Sequence, residues 1–128
     1  MRTAKDGAVC LTQSGDGGKT WSDPAKLTPA AVHPADLTAL PDGRVLLTCG
    51  DRRRPFGVRA VMRDASGAFD WNQSVPLVTD AVSSDCGYPS SVPLKDGRIL
   101  TVYYATGSKE HPDWGTHCGA VAWSLGAF

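Results

Sequence analysis

Asp36-Leu-Thr-Ala-Leu-Pro-Asp-Gly-Arg-Val-Leu-Leu-Thr48 and Ser90-Ser-Val-Pro-Leu-Lys-Asp-Gly-Arg-Ile-Leu-Thr-Val102 are two copies of one pattern. Their Asp-Gly-Arg triplets, Asp42–Arg44 and Asp96–Arg98, stand 54 residues apart. Each follows a short apolar segment and precedes one rich in leucine or β-branched residues. Asp-Gly between two such runs predicts a hairpin, because glycine readily takes the positive φ that a tight turn needs.

A second element repeats on nearly the same period. Ala8-Val-Cys-Leu-Thr-Gln13 leads into Ser14-Gly-Asp-Gly-Gly-Lys-Thr-Trp21, and Val58-Arg-Ala-Val-Met-Arg63 leads into a degenerate copy, Asp64-Ala-Ser-Gly-Ala-Phe-Asp-Trp71. Cys118-Gly-Ala-Val-Ala-Trp123 matches the strand of that unit a third time. A period near 50 residues built of four short strands is the pattern of a propeller blade. The expected fold is all-β: about two and a half four-stranded antiparallel blades in a single partial domain over residues 1–128. Residues 7–28 supply half a blade, 35–78 a full one and 88–123 an incomplete one. In the full blade the strands are expected at about 36–40, 45–49, 58–63 and 71–78. No segment has helical periodicity. A β-sandwich also yields regular short strands, but it does not predict the self-match. A closed propeller needs at least about four blades, so the remaining blades are expected from a longer parent, and the isolated chain is expected to associate or aggregate.

Composition narrows the classes of function. Thirteen basic residues balance thirteen acidic ones, so no nucleic-acid or anionic-membrane partner is expected. Arg52, Arg53, Arg54, Arg59 and Arg63 nevertheless cluster locally. No apolar run approaches a membrane span. The start, Met1 to Gly7, has no apolar segment of the signal-peptide kind, and the compartment stays open. Cys10, Cys49, Cys86 and Cys118 form no CxxC pair; buried free thiols are expected, no metal and no cofactor, with a Cys86–Cys118 disulfide left open.

Ser14-x-Asp16-x-Gly18-x-Thr20-Trp21 resembles the Asp-box of sialidases and other BNR-repeat proteins at every defining position. In such a box Asp16 accepts backbone N–H bonds, the glycines permit left-handed conformations, and Trp21 is expected, like Trp71, to be buried between blades. The box holds a turn and does no chemistry.

Asp85-Cys-Gly-Tyr-Pro-Ser-Ser-Val-Pro-Leu-Lys-Asp-Gly-Arg-Ile-Leu-Thr-Val-Tyr-Tyr104 resembles the sialidase segment that carries the nucleophilic tyrosine, and Tyr88 falls on that tyrosine. Pro89 stands where the family more often has serine. The blade from His33-Pro34 to Arg52 is similar to sialidase blades that carry substrate arginines. The resemblance implies a six-bladed propeller and a retaining exo-glycosidase that hydrolyses terminal sialic acid or a related acidic sugar from a sialylated or other acidic glycan. It places Tyr88 as nucleophile and Arg52, Arg59, His33 and Asp36 at the substrate.

The chemistry of such a substrate is consistent with those residue types. A carboxylate at the anomeric carbon repels an Asp or Glu nucleophile and favours a neutral phenol. A phenol needs a nearby base, and the substrate carboxylate calls for guanidinium groups. In the antiparallel blade, Arg52–Arg54, Tyr88, and the His111, Trp114 and His117 loop fall at the end opposite the Asp-Gly-Arg turns, where long loops favour binding. Each residue also has a plainer role: Tyr88 as a packed aromatic, the arginines as solvated loop charges, His33 as a turn residue. The competing class is a non-catalytic BNR-repeat module for glycan binding or assembly.

Overall fold

The computed structural model describes residue 3 and residues 5–127; part of the Met1–Gly7 stretch lies outside the described residues. Nine strands follow in chain order: β1 (Cys10–Leu11), β2 (Ala25–Lys26), β3 (Val32–Ala39), β4 (Val45–Asp51), β5 (Phe56–Met62), β6 (Val75–Ala81), β7 (Cys86–Pro93), β8 (Arg98–Thr106) and β9 (Thr116–Ser124). They form three antiparallel meanders in sequence order: β1–β2, β3 to β6, and β7 to β9. The only helical pieces among the described residues are short 3₁₀ turns at Trp71–Gln73 and Leu125–Ala127.

The two Asp-Gly-Arg hairpins are the same object built twice. The Leu40 carbonyl accepts from the Gly43 N–H at 3.0 Å, and the Leu40 N–H donates to the Arg44 carbonyl at 2.9 Å. Leu94, Gly97 and Arg98 repeat this at 3.1 and 2.7 Å. Gly43 and Gly97 have φ of 87° and 85°, the left-handed step that closes a three-residue hairpin loop. Each aspartate accepts the arginine's backbone N–H, at 3.0 Å in the first copy and 3.1 Å in the second. Each also pairs with the guanidinium, at 2.8 and 2.7 Å.

The Asp-box and its degenerate copy share a bonding pattern despite different side chains. Ser14 Oγ accepts from the N–H groups of Asp16 and Gly18; Asp64 Oδ1 accepts from those of Ser66 and Ala68. Asp64 therefore takes the place of Ser14. Asp16 adds bonds that the copy lacks, accepting from the N–H groups of Lys19 and Thr20 and from the Thr20 hydroxyl.

The tryptophans correct one expectation. Trp71 is half-buried, packs on Leu47, Cys49 and Val61, and donates its indole N–H to the Leu27 carbonyl at 2.6 Å. Trp21 is 61% exposed. Its indole N–H closes onto the Gly18 carbonyl of its own box at 3.1 Å, so the ring completes the turn rather than entering a core. The strand expected from residue 71 begins instead at Val75. Asp70 accepts from the Asn72 N–H and the Ser74 hydroxyl donates to the Trp71 carbonyl, which curls residues 71–73 into a 3₁₀ turn.

The middle sheet is buried on both faces, and β4 accordingly reads as the near-continuous run Val45-Leu-Leu-Thr-Cys-Gly50 rather than as an alternation. Leu47, Cys49 and Val61 face Leu27 and Trp71. Leu46 and Ala60 face Ile99 and Trp123 of the third sheet. Polar bonds join these two sheets as well. Asp36 Oδ2 accepts from the Ser91 N–H at 2.9 Å, and the Ser91 hydroxyl lies 3.1 Å from that of Thr48 and 2.9 Å from that of Thr101. Strand β9, by contrast, alternates between exposed and half-buried, leaving the outer face of the third sheet open.

Candidate functional site

Meander topology places the β4–β5, β6–β7 and β8–β9 connections at one end, opposite the hairpins of Asp42 and Asp96. Tyr88 stands at that end, where β7 begins. The register slips between Gly87, which pairs with Tyr104, and Ser90, which pairs with Val102. The extra residue of this bulge gives Tyr88 a φ of 47°, uncommon for a side chain of its size. The result is a tyrosine 58% exposed between the buried Gly87 and Pro89.

The Tyr88 ring leans on that of Tyr104, with centroids 5.5 Å apart and planes tilted by 41°. The Tyr104 hydroxyl donates to Asp85 Oδ1, and Thr106 donates to Asp85 Oδ2 at 3.5 Å. The bond to Asp85 chiefly, then burial, pushes the Tyr104 phenol up, while the Arg52 guanidinium nearby pulls the other way. Tyr104 is therefore a protonated donor locked on a carboxylate. Arg52 is anchored by its backbone N–H on the Ala31 carbonyl at 3.0 Å. Its Nε is buried without a hydrogen-bond partner among the described residues. Beneath it, burial pushes the Cys86 thiol up, and Arg52 opposes that shift.

The other expected residues lie elsewhere or are engaged. Arg59 pairs in register with Cys49, on the face that carries Trp71. It donates from Nε to the Ser74 hydroxyl at 3.1 Å and from Nη2 to the Ser74 carbonyl at 3.0 Å, with Asp51 Oδ2 3.9 Å away. Arg53 grips the buried Asp51 carboxylate with two bonds, at 2.8 and 2.9 Å. Arg54 lies over the Phe56 ring at 4.8 Å. Arg63 is at the opposite end, on the Gly67 carbonyl and Gln13. His33 is buried, its ring so close to Gly7 that a Cβ there would stand 2.8 Å from it. Asp36 is spent on the Ser91 N–H between the sheets. The structure thus brings Tyr88 and Arg52 to one end of the sheets, turns Arg59 and Asp36 to other partners, and brings His33 near by its backbone alone, its carbonyl oxygen at the Gly50–Gly87 contact and its ring against Gly7.

Tyr104 and Asp85 are the members of that neighbourhood that sequence reasoning passed over. A signal was present: pairing outward from the Asp96-Gly97 turn in the Pro93–Ile99 register sets Tyr104 opposite Tyr88, and the bulge then shifts it to Gly87. The thiols also differ from expectation in part. Cys49 and Cys86 are buried thiols, as expected, but Cys118 is exposed on the open face of β9 and forms no disulfide with Cys86.

A family model described as a BNR repeat-like domain matches residues 1–102. Among solved structures, the chain is similar to a protein of unknown function from Dyadobacter fermentans DSM 18053, at 31% identity and a TM-score of 0.78. The match covers 95% of this chain and 33% of that one, so the chain spans about a third of its structural relative. No curated protein matches.

Proposed function

The chain belongs to the BNR repeat-like domain family, and from that premise we propose that its three sheets are successive blades of a sialidase-like propeller whose loop end processes a terminal acidic sugar. The observation that carries this reading is Tyr88, an exposed left-handed bulge residue whose ring leans on Tyr104, itself bonded to Asp85 and close to the Arg52 charge. In the proposed reaction the Tyr88 oxygen attacks the anomeric carbon as the glycosidic C–O bond breaks. The phenol proton passes to a base, and the leaving oxygen takes a proton from an acid. Water then hydrolyses the glycosyl-tyrosine with net retention. Arg52 supplies the guanidinium that meets the sugar carboxylate. In this reading the acid and base are supplied by further blades of a longer parent, which the one-third coverage of the structural relative supports. His33, Asp36 and Arg59 act by holding the sheets that carry the site.

The test is Tyr88→Phe in the full-length protein, assayed on a fluorogenic acidic glycoside with thermal stability recorded in parallel. Turnover should fall by orders of magnitude with folding nearly unchanged. Wild-type turnover, or loss through unfolding alone, would sink the assignment. The 128-residue chain by itself should show no turnover.

A second reading, a glycan-binding module without catalysis, is favoured by one observation. No carboxylate among the described residues bonds to the Tyr88 hydroxyl, and Asp85 is committed to Tyr104. Saturable glycan binding by the full-length protein without hydrolysis would select it.

A further inference from the structure

The β8–β9 connection, residues 107–115, is a structured loop. The Ser108 N–H donates to the His111 carbonyl at 3.1 Å, the His111 N–H to the Ser108 hydroxyl at 3.0 Å, and the Trp114 N–H to the His111 carbonyl at 3.2 Å. Lys109 is tied to the Asp80 carbonyl at 2.8 Å, and Ser108 bridges to Ala81, which fastens the loop to the end of β6. Gly107, at φ 68°, is packed so tightly that a Cβ would stand 2.8 Å from the Pro112 carbonyl oxygen.

This frame presents Trp114, 51% exposed. Its indole is stacked by His111 at 4.1 Å with planes 12° apart, and met edge-on by His117 at 5.3 Å. His117 is fixed in turn through Nδ1, 3.1 Å from the Gly115 carbonyl oxygen. Two imidazole rings and the backbone bonds of the loop hold this exposed tryptophan in place. Pre-positioning of this kind lowers the entropy lost when a ligand is bound. The ligand such a surface fits has an apolar face edged by hydrogen-bonding groups: the indole takes the face, while the histidines and the polar loop around them reach the edge. A pyranose ring has that form.

We propose that Trp114, backed by His111 and flanked by His117, is a stacking subsite for a sugar ring of an oligosaccharide, next to the ring that occupies the Tyr88 end. The location of that terminal ring rests on the function proposed above, whereas the stacking of a sugar on Trp114 does not. The loop leans on the β6–β7 connection, which carries Asp85 and through it holds Tyr104. One chain therefore offers two sugar positions at one end of the third sheet.

The experiment is a screen of the protein on an array of neutral and acidic oligosaccharides, followed by fluorescence titration of the best ligand and of its terminal monosaccharide. Trp114→Ala should weaken the oligosaccharide about tenfold or more and leave the monosaccharide unchanged, and Trp114→Phe should recover most of the loss. Because Trp114 is in an exposed loop, the variants should keep the wild-type circular dichroism. Tyr88→Phe should leave this split intact, so failure of the catalytic assignment remains distinguishable from failure of the subsite. The proposal is overturned if no glycan on the array binds, if Trp114→Ala binds the oligosaccharide as the wild type does, or if mono- and oligosaccharide weaken equally.

Discussion

Gly50 of β4 and Gly87 of β7 meet backbone to backbone: a Cβ built on Gly50 would stand 3.0 Å from the Gly87 Cα, and one built on Gly87 only 2.8 Å from that of Gly50. The Gly50 Cβ would also come within 2.7 Å of the His33 carbonyl oxygen. The middle and third sheets close on each other here, one residue before Tyr88. Gly50→Ala should force them apart and cost roughly 1–3 kcal/mol, by the ordinary penalty of overpacking. Denaturant unfolding of wild type and variant checks this, and a neutral substitution would mean that the sheets are not in contact at this point.

Acid should loosen the turns before it reaches the core. The Thr20 backbone N–H, the Thr20 hydroxyl and the Ser14 hydroxyl hold the Asp16 carboxyl down to about 2, against about 3.9 for an unfolded aspartate. Asp42 and Asp96, bonded to Arg44 and Arg98, and Asp64, bonded to Ser66 and Ala68, are shifted the same way. A depressed carboxyl stabilises the fold fully above its unfolded value, and that contribution is lost as pH falls through the folded one. Thermal midpoints should therefore drop between about pH 4 and pH 2, and Asp16→Asn should show a shallower drop. A variant that tracks the wild type through that window would refute the role of Asp16.

Trp71 and Trp21 occupy equivalent places in their repeats but should respond differently to the same change. Trp71→Phe removes the donor to the Leu27 carbonyl and part of a core contact, for an expected loss of about 1–3 kcal/mol. Trp21→Phe removes a bond made in solvent and should cost at most about 0.5 kcal/mol. Equal losses would contradict the exposure of Trp21.

Asp36→Ala should cost about 1–3 kcal/mol, because it leaves the Ser91 N–H without its charged acceptor between two sheets. Chemical denaturation measures the loss. A variant as stable as the wild type would show that β3 and β7 are held by packing alone.

Thiol labelling should be ordered by exposure. Cys118 should react first with a soluble disulfide reagent. Cys49, whose thiol is pushed well up by burial and then by the neighbouring Asp51 and Asp36 charges, should react only on unfolding. Early labelling of Cys49 would contradict its place in the core.

What sequence alone determined is what closes within a few residues. The hairpins at Asp42–Arg44 and Asp96–Arg98, the Ser14–Thr20 box and its copy at Asp64–Ala68 each satisfy their bonds locally, so glycine placement and side-chain acceptors were enough to read them. The all-β character followed from their period. Tertiary structure alone decided which of two like tryptophans packs on a core, because Trp71 needs the Leu27 carbonyl and a core supplied by β4 and β5. It also turned Arg59 onto Ser74 and Asp36 onto Ser91, and set Tyr104 on Asp85 beneath Tyr88. Those partners stand 15, 55 and 19 residues apart. Contacts at such separations depend on register, on one bulge and on how closely two glycines let the sheets approach.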